Sequence, residues 1–78
     1  MKILDLIIED YEARDLANDI HENERMAAAH YLIGMYQYGD TEATEQERPT
    51  YSERVAWGGG LDIYHDYGAG YYFAAVTA

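Results

Sequence analysis

The chain has 78 residues, no cysteine and a formal net charge of −10. These facts limit the kinds of fold and of partner that are open to it. A domain of this length buries only about 60 % of the surface that its unfolded chain exposes, so its stability is marginal. Without cysteine, neither a disulfide nor a thiolate zinc site can supplement the core. A hydrophobic fraction of 49 %, with nine tyrosines, excludes a disordered acidic tail. We therefore predict one folded domain over residues 1–78 that needs no cofactor.

The acidic charge also narrows the range of partners, because an acidic surface repels nucleic acid and anionic membranes and attracts basic proteins. The longest apolar stretches, residues 3–8 and 26–35, fall short of the roughly 20 residues that a membrane helix needs. The first ten residues hold one lysine and three acids, which is unlike a signal peptide. We expect a cytoplasmic protein that binds a basic partner without contacting membrane or nucleic acid directly.

The N-terminal quarter has the periodicity of an amphipathic helix. Apolar residues recur at intervals of three and four from residue 3 to residue 20, namely Ile3, Leu4, Ile7, Ile8, Tyr11, Ala13, Leu16, Ala17 and Ile20. This spacing favours a helical stripe. Two interpretations remain open: one helix over residues 2–22, or a break near Glu9 with Asp10 as the N-cap of a shorter helix.

A second helix is predicted over residues 24–38. Asn23 is a suitable N-cap, alanines 27–29 are strong helix formers and Gly39 stands where a C-cap glycine belongs. Its apolar residues run nearly all round, which is typical of a buried central helix. The polar stretch from Asp40 to Thr50 reads as a loop, with one possible helical turn at Thr44–Glu47.

The second half predicts three short strands joined by glycine turns, at about residues 51–57, 61–66 and 71–77. The fold class is therefore α+β, with two or three N-terminal helices packed on a small three-stranded antiparallel sheet. The last strand ends the sequence at Ala78 without a tail. Either the chain is a fragment, or this strand is an edge that pairs with another chain.

An all-α fold is the alternative, because Glu24–Ala27 recurs as Glu53–Ala56 at an offset of 29 residues. Such a period suits a helical repeat, and residues 33–39 resemble the first helix of a tetratricopeptide-like or Sel1-like repeat. The second copy would place Gly58–Gly60 in the middle of a helix, which disfavours this interpretation.

The most informative pattern is a row of acids near the N-terminus. At about 100° per residue the row lies within about 140° of arc on a continuous helix, and it comprises Asp5, Glu9, Glu12, Asp15, Asp19 and Glu22. An ordinary solvated face mixes acids with Lys or Arg at i+4, whereas here like charges meet at that spacing. Such a row offers a basic groove a ladder of negative charge, as a phosphate backbone does.

The predicted function is a small acidic inhibitor, encoded by a phage or mobile element, that occupies the nucleic-acid-binding groove of a host defence protein. The chain is similar in size and charge to anti-restriction proteins, anti-CRISPR proteins and the uracil-DNA glycosylase inhibitor, without a shared motif. Trp57 and Tyr64 would add binding energy, since such aromatics are enriched in hot spots. The alternative is a structural or assembly adaptor that oligomerises through the apolar helix and the aromatic sheet.

An enzyme is disfavoured, because no nucleophile with an activating base is visible in the sequence. His65 beside Asp62 and Asp66 could contribute to a metal or acid–base site, although a histidine near acids is more often a surface hydrogen bonder. Gly58–Gly60 lacks the Lys-Ser/Thr of a phosphate-binding loop.

Overall fold

The computed structural model describes residues 1–19 and 23–77, and within them the fold is α+β, as predicted. Two helices, α1 (Asp10–Asp19) and α2 (Glu24–Gln37), pack on one mostly antiparallel sheet. The sheet has six strands where we predicted three. In chain order they are β1 (Lys2–Leu4), β2 (Ile8–Glu9), β3 (Ala43–Glu45), β4 (Ser52–Gly58), β5 (Leu61–Asp66) and β6 (Tyr71–Val76).

The three additional strands come from segments that we predicted to be helix or loop. Ile3 pairs with Ala75 of β6 on one side and with Thr44 of β3 on the other, and Ile8 pairs with Tyr72. A continuous helix over residues 2–22 is therefore wrong, as is the helical turn at Thr44–Glu47. Ile3, Leu4 and Ile8 are at most 5 % exposed, so burial beside β6 overrides a helical spacing that is only local.

The first helix begins at the break near Glu9 that was one of our two interpretations. Asp10 is its first residue and not its N-cap. The carboxylate of Glu12 instead accepts the backbone N–H of Glu9, at 3.2 Å, which is one half of a capping box. This arrangement leaves the Asp10 side chain available for a contact elsewhere.

The second helix agrees closely with its prediction. The side chain of Asn23 accepts the N–H of Met26 at 2.8 Å, as an N-cap does. Gly39 follows the helix with φ +74°, the left-handed conformation that suits a glycine after a C-cap. The predicted burial of this helix on all sides is wrong, however, since alanines 27–29 and Leu32 are buried while Met26 and Tyr31 are exposed.

The strand order is β3-β1-β6-β5-β4, and β2 also pairs with β6. Strands β4, β5 and β6 form the predicted antiparallel meander. The last strand is nevertheless central and not an edge, because it lies between β5 and the two N-terminal strands. The repeat interpretation is also wrong, since Glu53–Ala56 belongs to β4 while Glu24–Ala27 begins α2.

The two faces of the sheet are covered differently. Leu61, Ile63 and Ala74 pack with the helices on one face. Tyr64, Phe73 and Ile3 form a second cluster, which strand alternation places on the opposite face. Residues 46–51, here called the strap, join β3 and β4 at opposite edges of the sheet, so they must cross this second face. Arg48 of the strap lies over the ring of Tyr64, 4.6 Å from its centroid.

Candidate functional site

The structure keeps only part of the predicted acidic row on a helix. Glu12, Asp15 and Asp19 lie on α1 at spacings of three and four, which puts them within about 60° of arc. We call these three residues the acidic flank. Asp15 and Asp19 are exposed and Glu12 is half-buried. Among the described parts of the chain, none of the three makes an ion pair.

The other acids of the row are placed differently. Glu9 belongs to β2. Its carboxylate accepts a hydrogen bond from the hydroxyl of Tyr11, which raises the pKa of that exposed phenol. Asp5 follows β1 and accepts a hydrogen bond from the Thr44 hydroxyl at 3.1 Å. It lies in a shallow depression with Asp40 and Glu42, two acids that our prediction did not single out. Glu22 lies outside the described residues.

The two predicted aromatic contacts differ in accessibility. Trp57 on β4 is 71 % exposed, and the guanidinium of Arg54 lies 5.0 Å from its ring. Tyr64 on β5 is only 7 % exposed and stacks on Phe73 with ring centroids 5.2 Å apart. Tyr64 is therefore a core residue, and as folded it offers a partner almost no surface.

A cleft of about 800 Å³ lies on the helix side of the sheet. It lies between the two helices and the turn that joins β5 to β6. Its lining includes Arg14 and Asn18 of α1, Arg25 of α2, and the rings of His65, Tyr67 and Tyr72. Its size is within the range of ordinary small-molecule sites.

A histidine–aspartate pair ties α1 to the sheet beside this cleft. His65 Nε2 lies 2.9 Å from Asp10 Oδ1. The Asp10 side chain, at the start of α1, therefore contacts the sheet. The ring of His65 also packs on Tyr72, with centroids 4.5 Å apart, and meets Tyr67 edge-on at 5.1 Å. The pair therefore contributes to both the helix–sheet contact and the cleft wall.

The predicted grouping of His65 with Asp62 and Asp66 does not form. Successive strand residues point to opposite faces, so both acids lie on the strap side while His65 faces α1. Asp66 accepts the N–H groups of Gly68 and Ala69 in the following turn, and Asp62 pairs with Arg54 at 3.5 Å. Within residues 1–19 and 23–77, no cluster of three or more His, Asp or Glu side chains could hold a metal ion.

The buried phenol of Tyr72 gives the stability of the protein a predictable alkaline limit. Burial raises the pKa of Tyr72, the carboxylates of Glu24 and Asp10 raise it further, and Arg25 opposes them. Because the folded state favours the neutral phenol, this contribution is complete below the ordinary tyrosine pKa of about 10 and is lost as pH rises through the raised value. The free energy of unfolding of Tyr72→Phe should therefore fall less steeply above about pH 10 than that of the wild type.

Urea unfolding at a series of pH values measures this effect, with Tyr51→Phe as the matched control because Tyr51 is 74 % exposed. We expect the control to follow the wild-type curve. An unchanged alkaline slope in Tyr72→Phe would contradict the assignment.

Sequence reasoning missed the cleft because its parts are far apart along the chain. Arg14 and Arg25 stand in different helices and His65 in a strand, so no local spacing connects them. Only the register of β5 with β6, which pairs His65 with Tyr72, could have indicated an aromatic cluster. A meander prediction does not fix that register.

Two further findings complete the description of the chain. Within the described residues, no helix is both long enough and apolar enough to cross a membrane. Searches against protein-family models, curated proteins and solved structures found no significant match to this chain.

Proposed function

We propose that this protein is a small acidic inhibitor, of the DNA-mimic type found in phages and mobile elements, that occupies the basic nucleic-acid-binding groove of a host defence protein. The acidic flank is the observation that carries the proposal. Its three carboxylates stand on successive turns, about 5 to 6 Å apart at Cβ. In the described chain they lack cationic partners, so the charge is available to a partner.

The distribution of the basic residues supports this choice of surface. Arg14, the basic residue of α1, stands about 100° to 160° of arc from the three acids and lines the cleft. Arg48 and Arg54 are engaged on the strap side of the sheet, by Ser52 and Asp62. The flank therefore has no nearby cation on its own helix face.

The short length of α1 limits how much of a nucleic-acid duplex the flank can imitate. Ten helical residues span about 15 Å, which matches only a few phosphates of a duplex. We therefore infer that Asp5 after β1, Glu9 on β2 and the acids of the Asp40–Glu42 segment act mainly by steering a basic partner through the long-range field. Contact specificity would come from the flank.

A charge-reversal experiment tests the proposal with an internal control. Asp15→Lys with Asp19→Lys changes the net charge by +4, and so does Asp40→Lys with Glu42→Lys in the depression beside Asp5. The wild-type protein is used to capture partner proteins from host lysate at low salt. Each captured partner is identified, and its binding to labelled DNA is followed by fluorescence anisotropy while the wild-type protein or a variant is added as competitor. We expect the flank variant to displace DNA at least tenfold less well than the control, because close charges contribute more than steering charges.

Salt provides the second arm, since interactions between exposed charges weaken as the screening length shortens. Displacement of DNA by the wild-type protein should weaken steeply between low and high salt. The proposal fails if displacement is insensitive to salt, if the two double variants are affected equally, or if the captured proteins do not bind nucleic acid.

An assembly adaptor is the second candidate, favoured by the exposure of Trp57 on β4, an edge strand of the sheet. The exposed side chains of α2, Met26 and Tyr31, would add apolar surface. In this case Trp57→Ala should abolish self-association measured by sedimentation equilibrium, whereas Asp15→Lys should not. A chain that is monomeric at all concentrations would eliminate this candidate.

A further inference from the structure

The cleft concentrates positive charge within a strongly acidic protein. Of the described residues with charged side chains, Arg14, Arg25 and one acid, Glu24, line it. Neither guanidinium makes an ion pair within residues 1–19 and 23–77. The lining is therefore locally cationic although the chain carries −10 overall.

Backbone polarity adds to this charge. Asn23 and Glu24, at the start of α2, are part of the lining. The N-terminal end of a helix carries a partial positive charge that favours anions. Two arginine side chains and a helix end thus converge on one concavity from both helices, and a guanidinium fork matches the geometry of phosphate or carboxylate oxygens.

An aromatic wall of His65, Tyr67 and Tyr72 lines the same cleft. Tyr72 is 4 % exposed, and its ring packs on that of His65, which the 2.9 Å contact with Asp10 holds in place. Tyr67 stands at the edge of this pair and is 55 % exposed. Tyr67 is therefore the accessible ring of this wall, on which a planar ligand ring can stack, while Tyr72 is buried.

From this combination we infer that the cleft is a binding site for a small phosphate-bearing molecule with a planar ring, of the mononucleotide class. Arg14 and Arg25 hold the phosphate, and Tyr67, next to His65, contacts the ring. The α1 residues that line this site, Arg14, Ala17 and Asn18, lie outside the arc of the acidic flank. The inference is independent of the proposed inhibitor function.

Calorimetric titration of the full chain at low salt, with AMP, adenosine and inorganic phosphate as separate probes, tests the inference. AMP should bind more tightly than adenosine, which lacks the anion, and more tightly than phosphate, which lacks the ring. Arg14→Gln and Arg25→Gln should each weaken AMP binding by about tenfold or more, as expected for a hydrogen bond between charged groups.

Lys2→Gln is the matched control, because it removes one positive charge from β1 and leaves the cleft unchanged. It should alter AMP affinity by less than about twofold, since Lys2 does not line the cleft and an exposed charge outside the site interacts with the ligand only weakly through water. Circular dichroism confirms that each variant is folded. The inference is overturned if AMP does not bind, if adenosine binds as tightly as AMP, or if Lys2→Gln weakens binding as much as the arginine variants do. If phosphate alone binds more tightly than AMP, the cleft does not contact the ring and the inference is likewise overturned.

Discussion

Replacing Phe73 with alanine is expected to lower the free energy of unfolding by about 3 to 5 kcal/mol. Total stability for 78 residues is about 4 to 12 kcal/mol, so this one change removes a large part of it. Phe73 is 2 % exposed and stacks on Tyr64, with ring planes 11° apart. It also meets Tyr71 at a centroid separation of 6.2 Å.

The cost is high because Phe73 supports the face of the sheet that lies away from the helices. The cluster on that face contains Ile3, Tyr64, Phe73 and Ala75, with Tyr71 against it, so few neighbours can fill a cavity. Arg48 fastens the strap beside this cluster by donating to the Ser52 carbonyl at 2.6 Å. Loss of Phe73 would therefore loosen the strap as well as the core.

Urea denaturation followed by circular dichroism measures the effect. Phe73→Leu keeps most of the apolar volume and should cost less than about 1.5 kcal/mol. Tyr38→Ala, at a side chain 83 % exposed, should stay within about 0.5 kcal/mol of wild type. If Phe73→Ala costs no more than Phe73→Leu, the strap side is not a packed core.

The parts of the fold that the sequence predicted correctly are those with local determinants. The cap at Asn23, the C-terminal Gly39 and the glycine turns of the meander each depend on residues within a few positions of one another. The N-terminal strands were missed because Ile3 and Ile8 satisfy a helical spacing locally but pair with residues more than 60 positions away. Pairing over such a distance leaves no trace in local periodicity.

The same distinction applies to the candidate sites. Glu12, Asp15 and Asp19 could be placed on one face from spacing alone, since all three belong to α1. Asp5 and Glu9 could not, because their position depends on strands that form with β3 and β6. Tyr64 looked like an exposed hot spot because the strap that covers its face is polar in sequence and showed no sign of packing.

Replacing Gly59 with alanine is expected to lower the free energy of unfolding by about 2 to 5 kcal/mol, for two additive reasons. Gly59 has φ +58°, a left-handed conformation that costs about 1 to 2 kcal/mol for a residue with a Cβ. That Cβ would also lie 2.6 Å from Cγ2 of Ile33 and 3.2 Å from Nε2 of Gln37, both on α2. Relieving such overpacking costs about 1 to 3 kcal/mol.

Gly39→Ala separates the two causes. Gly39 has φ +74°, and a Cβ there would meet no atom within 4 Å, so only the conformational cost applies. Urea denaturation should show Gly59→Ala to be less stable than Gly39→Ala by at least about 1 kcal/mol. Equal losses would mean that the β4–β5 turn can move away from α2 without cost. A larger loss at Gly59 would mean that close contact with Ile33 sets the distance between the turn and the helix, and hence that a side chain at this position is incompatible with the packing of α2 on the sheet.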